Sequence, residues 1–321
     1  MGIADLNELA VASPIEREEL AGTSGAVDAF NWLYRYMTIT VRYTDPDDYT
    51  TREGTEVPNL IGMMRGLPKF FEHRLFPVFV FDGPPDPLKQ RVLSDRRRRR
   101  QQAAERAAVA RDRGDSRDAA RYRARSQRLT KPIRQTTGEL LRLLDLPYLQ
   151  APSEAEAQAA HMARSGAVEY TVTDDYDAVV YGAPLTIREF TSDGRPECMD
   201  LEATLRKHAI TREQLVDVAI LCGTDYNRGV RGIGPKRALD EIKRHGDLET
   251  VLAALGATVE DADRIRERFL HPRTTDEYQF EPTCSPDLSG VRAFLLDRWE
   301  LPEATVEPAL TRLAEHRTAW A

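Results

Sequence analysis

Cysteine is scarce in this 321-residue chain: Cys198, Cys222 and Cys284 lie far apart, with no C-x-x-C spacing and no histidine pair beside them. That excludes a disulfide framework and a thiolate zinc site, and predicts a reducing, cytoplasmic setting. Long apolar runs are also missing. The longest, Leu75–Phe81, falls far short of the roughly 20 residues that cross a bilayer, and Met1–Ser13 lacks the basic start of an export signal, so a soluble, non-exported chain with no membrane partner is expected. Lysine is rare too, 6 residues beside 39 arginines, a bias that bears on composition rather than on mechanism. No internal repeat or low-complexity linker is visible apart from the run Arg96–Arg100. What remains, 41% hydrophobic and 30% charged residues, is the make-up of an ordinary globular chain long enough for one large core or a core with a satellite lobe.

Positive charge is lacking everywhere except in one place. The formal charge is -7, yet Lys89–Arg134 carries 17 Lys or Arg against 5 Asp or Glu, leaving 28 against 47 for all other residues. A basic arm on an acidic body predicts an anionic partner at that arm. The segment is nearly free of large apolar residues and is broken by Gly114 and Pro132, which predicts helices projecting from the body, closed at their base by Ile133–Leu144.

Short runs rich in Val, Phe and Tyr alternate with helical patterns, which predicts an α/β fold with a central, mainly parallel sheet flanked by helices. Gly25–Val27 runs into Asp28, Pro77–Phe81 into Asp82, and Tyr170–Thr173 into Asp174, Asp175 and Asp177. Ligands of open α/β sheets bind beyond the carboxyl ends of the strands, so these acids are candidates for one site. Read as an extended segment, Asp175 and Asp177 point to one side. Glu154 and Glu156 precede an Ala-rich helical stretch, and Asp225 follows the apolar run Val218–Leu221. Taken singly these residues have structural readings: Ser153–Glu156 matches a capping box, and an Asp after a strand is a common turn residue. Taken jointly, seven acids at corresponding ends call for a compensating cation, and an all-oxygen donor set favours Mg²⁺ or Mn²⁺ over zinc.

Lys89, Leu93, Arg96 and Arg100 fall on one helix face, starting seven residues after Asp82. From there Lys89 and Arg96 can hold a phosphate and stabilise developing charge. Arg97, Arg98 and Arg99 scatter around the wheel, as on a solvated charged helix. Around Gly232 and Gly234, the run Arg231–Ala238 permits close backbone approach, Pro235 starts a helix with free amides, and Lys236 and Arg237 put cations in the first turn, against the helix dipole. Duplex-backbone binding fits better than a plain helical hairpin.

With these segments in order, residues 1 to 270 resemble the archaeal and eukaryotic structure-specific 5′ nuclease family, the flap endonucleases. The resemblance rests on Met1–Ile3, Val27–Ala29, Val80–Pro85, Tyr148–Ala157, Thr173–Asp177, Leu221–Tyr226 and Arg231–Ala238. It implies two-metal phosphodiester hydrolysis in branched DNA bearing a 5′ flap, with Asp28, Asp82, Glu154, Glu156, Asp175, Asp177 and Asp225 around two Mg²⁺ ions that Mn²⁺ can replace. Lys89 and Arg96 match the catalytic basic pair at the base of a helical arch. Tyr34 matches an aromatic that stacks on a base, its alternative being a core tyrosine packed with Phe30, and Gly2 matches an N-terminal residue near the active site. Gly232, Gly234, Lys236 and Arg237 match a helix-two-turn-helix that grips duplex DNA and holds K⁺. A C-terminal box for a sliding clamp, usual in the family, is not seen in His316–Ala321, and a sliding clamp stays open as a partner.

The expected organisation is an N-terminal nuclease region at 1–88, a basic arch at 89–134, an internal nuclease region at 135–270 with the helix-two-turn-helix at about 217–245, and a C-terminal helical segment at 271–321. The resulting expectation is a monomeric, nucleoid-associated 5′ flap endonuclease of archaeal type, with 5′-3′ exonuclease activity, serving lagging-strand maturation and repair. The competing readings are a metal-dependent ribonuclease of related α/β type, which has no need of the arch, and a non-catalytic DNA-junction binding protein, which predicts missing acids.

Overall fold

The structure, a computed structural model, describes residues 4–192, 194–316 and 320. In chain order the elements are β1 (Val11–Pro14), β2 (Ser24–Asp28), α1 (Ala29–Tyr43), α2 (Pro58–Glu72), β3 (Phe76–Phe81), α3 (Gln90–Asp112), α4 (Ser116–Ser126), α5 (Lys131–Leu143) and β4 (Tyr148–Gln150). They continue with α6 (Ala155–Arg164), β5 (Tyr170–Val172), α7 (Asp177–Val180), β6 (Leu185–Arg188), β7 (Glu197–Asp200), α8 (Leu201–His208), α9 (Arg212–Cys222), α10 (Pro235–His245), α11 (Leu248–Leu255), α12 (Ala262–Leu270), α13 (Leu288–Ala293) and α14 (Glu303–Glu315).

The strands form a seven-stranded sheet in the order β1-β7-β6-β5-β2-β3-β4. From β6 to β4 all pairings are parallel, while β7 runs antiparallel to both β6 and β1 at the other edge. The unbroken apolar run of β3 fits a strand covered on both faces, and all six of its residues are buried. The chain leaves β2 to one side for β3 and returns to its other side as β5, so the strand order reverses about β2, the position beyond which open α/β sheets bind ligands. The register pairs Val27 with Phe79 on one side and with Val172 on the other, which brings the ends of the three strands level.

One core lies between the sheet and α1, α2, α5 and α14, where the Trp32 ring stands 5.3 Å from Phe79 and Phe70 stands 6.1 Å from Phe79. Leu295, Leu310 and Leu313 of the C-terminal segment are buried in it, with Leu296 and Trp299 packed at its margin. A second core gathers α9 to α12 with Leu6, Leu9 and Tyr181. It is the seat of the Gly-Pro turn.

The basic segment departs from its expected form. It is a hairpin of α3 and α4, reversed at Gly114 with φ 73°, but α4 folds back along α1 instead of projecting freely. Small residues make this possible: Ala124 is 1% exposed within the first core, while Arg123 reaches over the Tyr49 ring and pairs with Glu56. A second correction concerns Asp175, which lies in a turn and not in an extended segment, with Asp177 already the first residue of α7.

Candidate active site

Beyond the ends of β2, β3 and β5 the sequence has no choice but to turn, and acids occupy the turns. Asp28 is the N-cap of α1, its Oδ1 accepting from the amides of Phe30 and Asn31 at 2.9 and 3.0 Å. Asp82, one residue past β3, accepts from the Ala155 amide at 2.8 Å and so caps α6 from another segment. The capping box read at Ser153–Glu156 does not form: Glu154 is the N-cap residue, but its side chain makes no cap bond. Both glutamates are therefore free to face the acids of the strand ends. Gly83 makes the approach possible, because a Cβ there would run into the Ala151 carbonyl, and its amide donates to the Ser153 carbonyl at 2.6 Å.

Asp28 lies within electrostatic range of Asp82, Asp175 and Glu156, and Glu156 within range of Asp175 and Asp177 as well. Burial, with the charges of Asp82 and Asp175, pushes the Asp28 carboxyl up to about 8. Burial raises Asp82 as well, against the hydrogen bond from Ala155, and burial with Asp175, Asp177 and Asp28 holds Glu156 well above the ordinary carboxylate range. Thr173 Oγ1 links two of them, donating to Glu156 at 3.5 Å and accepting from the Asp175 amide at 3.2 Å.

Two cations close the other side. Lys89 Nζ donates to Glu154 Oε2 at 2.6 Å and lies 3.7 Å from Asp225 Oδ2, and Arg96 Nη2 meets the same Asp225 oxygen at 2.5 Å. Lys89 is only 8% exposed; burial favours its neutral form, but Glu154, Tyr226 and Asp225 outweigh that and hold it protonated. Among the described residues Asp225 Oδ1 is buried without a hydrogen-bond partner. All seven donors are carboxylates, three of them strained toward protonation, and one carries an orphaned oxygen: the set suits a hard divalent cation in kind. Among the described residues no three acid, histidine or cysteine side chains close around a single point.

The profiles of two sequence families match, the XPG N-terminal domain over residues 1–103 and the XPG I-region over residues 145–225. The chain is 52% identical over 314 residues to Flap endonuclease 1 of Halobacterium salinarum, covering 98% of this chain and 96% of that protein. The chain belongs to the flap endonuclease family. In structure it is similar to flap endonuclease-1 from Methanococcus jannaschii, with TM-score 0.76, 34% identity and 98% of each chain covered. The catalytic core of Rad2 in complex with DNA substrate shares the fold, with TM-score 0.70 and 23% identity over 96% of each chain.

The remaining residues predicted for a flap endonuclease lie around this centre or apart from it. Tyr34 is half-buried, not a core residue, and Arg100 of the arch stands over its ring at 5.9 Å. Arg97, Arg98 and Arg99 are exposed, as on a solvated helix face. Gly232, with φ 79°, and Gly234, the N-cap of α10, shape a turn on the second core. There Arg237 Nη1 reaches the Gly232 carbonyl at 3.4 Å and exposed Lys236 pairs with Glu8 at 3.3 Å. Gly2 lies outside the described residues. Sequence reasoning missed Tyr226, Tyr181 and Thr173, which pack or hydrogen-bond against the site; Thr173 and Tyr226 stand beside acids already singled out, whereas nothing local marks Tyr181.

Proposed function

We propose that the chain is a structure-specific 5′ flap endonuclease that hydrolyses a phosphodiester at the base of 5′ flaps in branched DNA, in lagging-strand maturation and repair, with 5′-3′ exonuclease activity. The observation that carries the reading is the convergence of Asp28, Asp82, Glu156, Asp175 and Asp177 with Glu154 and Asp225 under the paired cations Lys89 and Arg96. Family membership brings divalent-metal dependence. The specific proposal is two Mg²⁺ ions, replaceable by Mn²⁺, held by these seven carboxylates. When bound, such ions activate water and stabilise the leaving oxygen.

The chain's own residues supply the rest. Lys89 and Arg96 rise from the base of the arch and can take the scissile phosphate in place of Glu154 and Asp225, which carry their charge in its absence. Tyr34 and Arg100 offer a stacked pair beside them for a base. The turn at Gly232 and Gly234, with Lys236, Arg237 and the amides of α10, holds the backbone of the downstream duplex, and its carbonyls offer a place for K⁺. Contacts of this kind read DNA shape, not sequence. We place the enzyme as a monomer at the nucleoid. Among the described residues no helix is long and apolar enough to cross a membrane.

The test is cleavage of a 5′-labelled double-flap DNA with Mg²⁺, with EDTA, with Asp177→Ala, and with an RNA hairpin in competition. A single metal-dependent cut at the flap base, lost in the variant, is the expected result. Binding without a cut would point to a junction-binding protein, and preferred RNA cleavage to a ribonuclease.

A further inference from the structure

The turn that delivers Lys89 to the acids is anchored from a distant part of the chain. Asp86, 2% exposed, caps the single 3-10 turn Pro87–Lys89: its Oδ1 accepts from the Leu88 amide at 2.9 Å and its carbonyl accepts from the Lys89 amide at 2.9 Å. The remaining carboxylate oxygen, Oδ2, accepts from Arg268 Nε at 2.7 Å, a partner 182 positions away in α12. The next residue of α12, Phe269, is fully buried and meets the Tyr226 ring edge-on at 5.4 Å; Tyr226 in turn lies under Lys89 Nζ at 4.8 Å, with its hydroxyl 2.8 Å from that of Tyr181. Consecutive residues of one helix thus hold Lys89 from both ends, Arg268 through the backbone of its turn and Phe269 through the ring beneath its ammonium.

We propose that Asp86 and Arg268 are positioning residues for Lys89, coupling α12, which packs on the helices of the Gly-Pro turn, to the cation that faces the scissile phosphate. The proposal deepens the nuclease reading and rests on it. The physical cause is that a buried carboxylate needs its countercharge. Without the guanidinium, Asp86 recovers solvation only by moving outward, and the Pro87–Lys89 turn it caps moves with it. Lys89 has no slack to absorb that shift, since its ammonium is fixed between Glu154 and the Tyr226 face.

The test is a double-mutant cycle in the full-length protein: wild type, Arg268→Gln, Lys89→Ala and the double variant. Single-turnover cleavage of a flap substrate, DNA affinity and thermal midpoint are measured for each. Arg268→Gln is expected to slow the cleavage step roughly 10- to 100-fold, the loss that misplacement by an ångström produces, with DNA affinity unchanged. In the Lys89→Ala background the same substitution is expected to change the rate by less than about twofold. Asp86→Ala, which removes the turn cap and the anchor to Arg268 together, serves if Arg268→Gln is unstable, with the same dependence on Lys89. Equal loss in both backgrounds, or a wild-type rate in Arg268→Gln or Asp86→Ala, overturns the positioning role while leaving the nuclease reading intact. Wild-type cleavage by Lys89→Ala overturns the assignment of Lys89, and the coupling with it.

Discussion

The carboxylate of Asp82 accepts the amide hydrogen of Ala155 at 2.8 Å, so one acid of the strand ends also caps the helix that carries Glu156. The two roles separate by substitution. Asp82→Asn keeps a cap and is expected to fold at the wild-type midpoint or above it, since a raised, repelled carboxylate is removed, while cleavage falls by about 10² or more. Asp82→Ala loses the cap as well and costs about 1 kcal/mol in urea unfolding. An active Asp82→Asn protein would remove the residue from the site.

Gly83→Ala places a methyl against the Ala151 carbonyl, where neither backbone can yield freely. The expected cost is about 2 kcal/mol of stability, with a shift of Glu154 away from Asp82 and slower cleavage. Equilibrium denaturation and single-turnover kinetics on the same variant check both parts.

Lys236 is exposed and its ion pair with Glu8 is weak. Lys236→Ala is expected to leave folding and single-turnover rate unchanged, to weaken DNA binding equally for all sequences, and to reduce the slope of log affinity against log salt by about 1. An unchanged slope would separate the Gly-Pro turn from the DNA backbone.

Arg312 of α14 donates to Glu72 of α2 through Nε at 2.5 Å and Nη2 at 3.0 Å, docking the C-terminal helix on the core. Burial raises Glu72, but the Arg312 bonds prevail and hold its carboxyl below the ordinary glutamate value of 4.5. A depressed folded value means stability that is present above the unfolded value and lost as the pH falls through the folded one. Glu72→Gln is therefore expected to cost about 1 kcal/mol at pH 7 and almost nothing once the pH is well below 4.5, measured as unfolding midpoints across the acid range.

Much of the centre was legible in the chain because strand ends and acids coincide in it. A run such as Val78–Phe81 stopping at Asp82 states both the element and the residue beyond it, whereas Lys89, expected on one helix face with Arg96, sits in the 3-10 turn that precedes α3. Local rules misled where a distant group took over a local task. Ser153–Glu156 has the letters of a capping box, but Asp82 caps the helix from β3's end. The spacing of Asp175 and Asp177 suits an extended segment, yet the chain turns into α7 at once.

Composition and order thus determined the α/β class, the acids that follow the strands and the carriers of charge, since those follow from polarity and period along the chain. Only the tertiary structure decided which charges neutralise one another. Burial gave Asp28 and Glu156 their raised carboxyls, the fold laid α4 along α1 through Ala124, and the packing of α12 set Arg268 on Asp86 across 182 positions. Such pairings depend on separations in space and on exclusion of water, and neither is written in the spacing of residues along the chain.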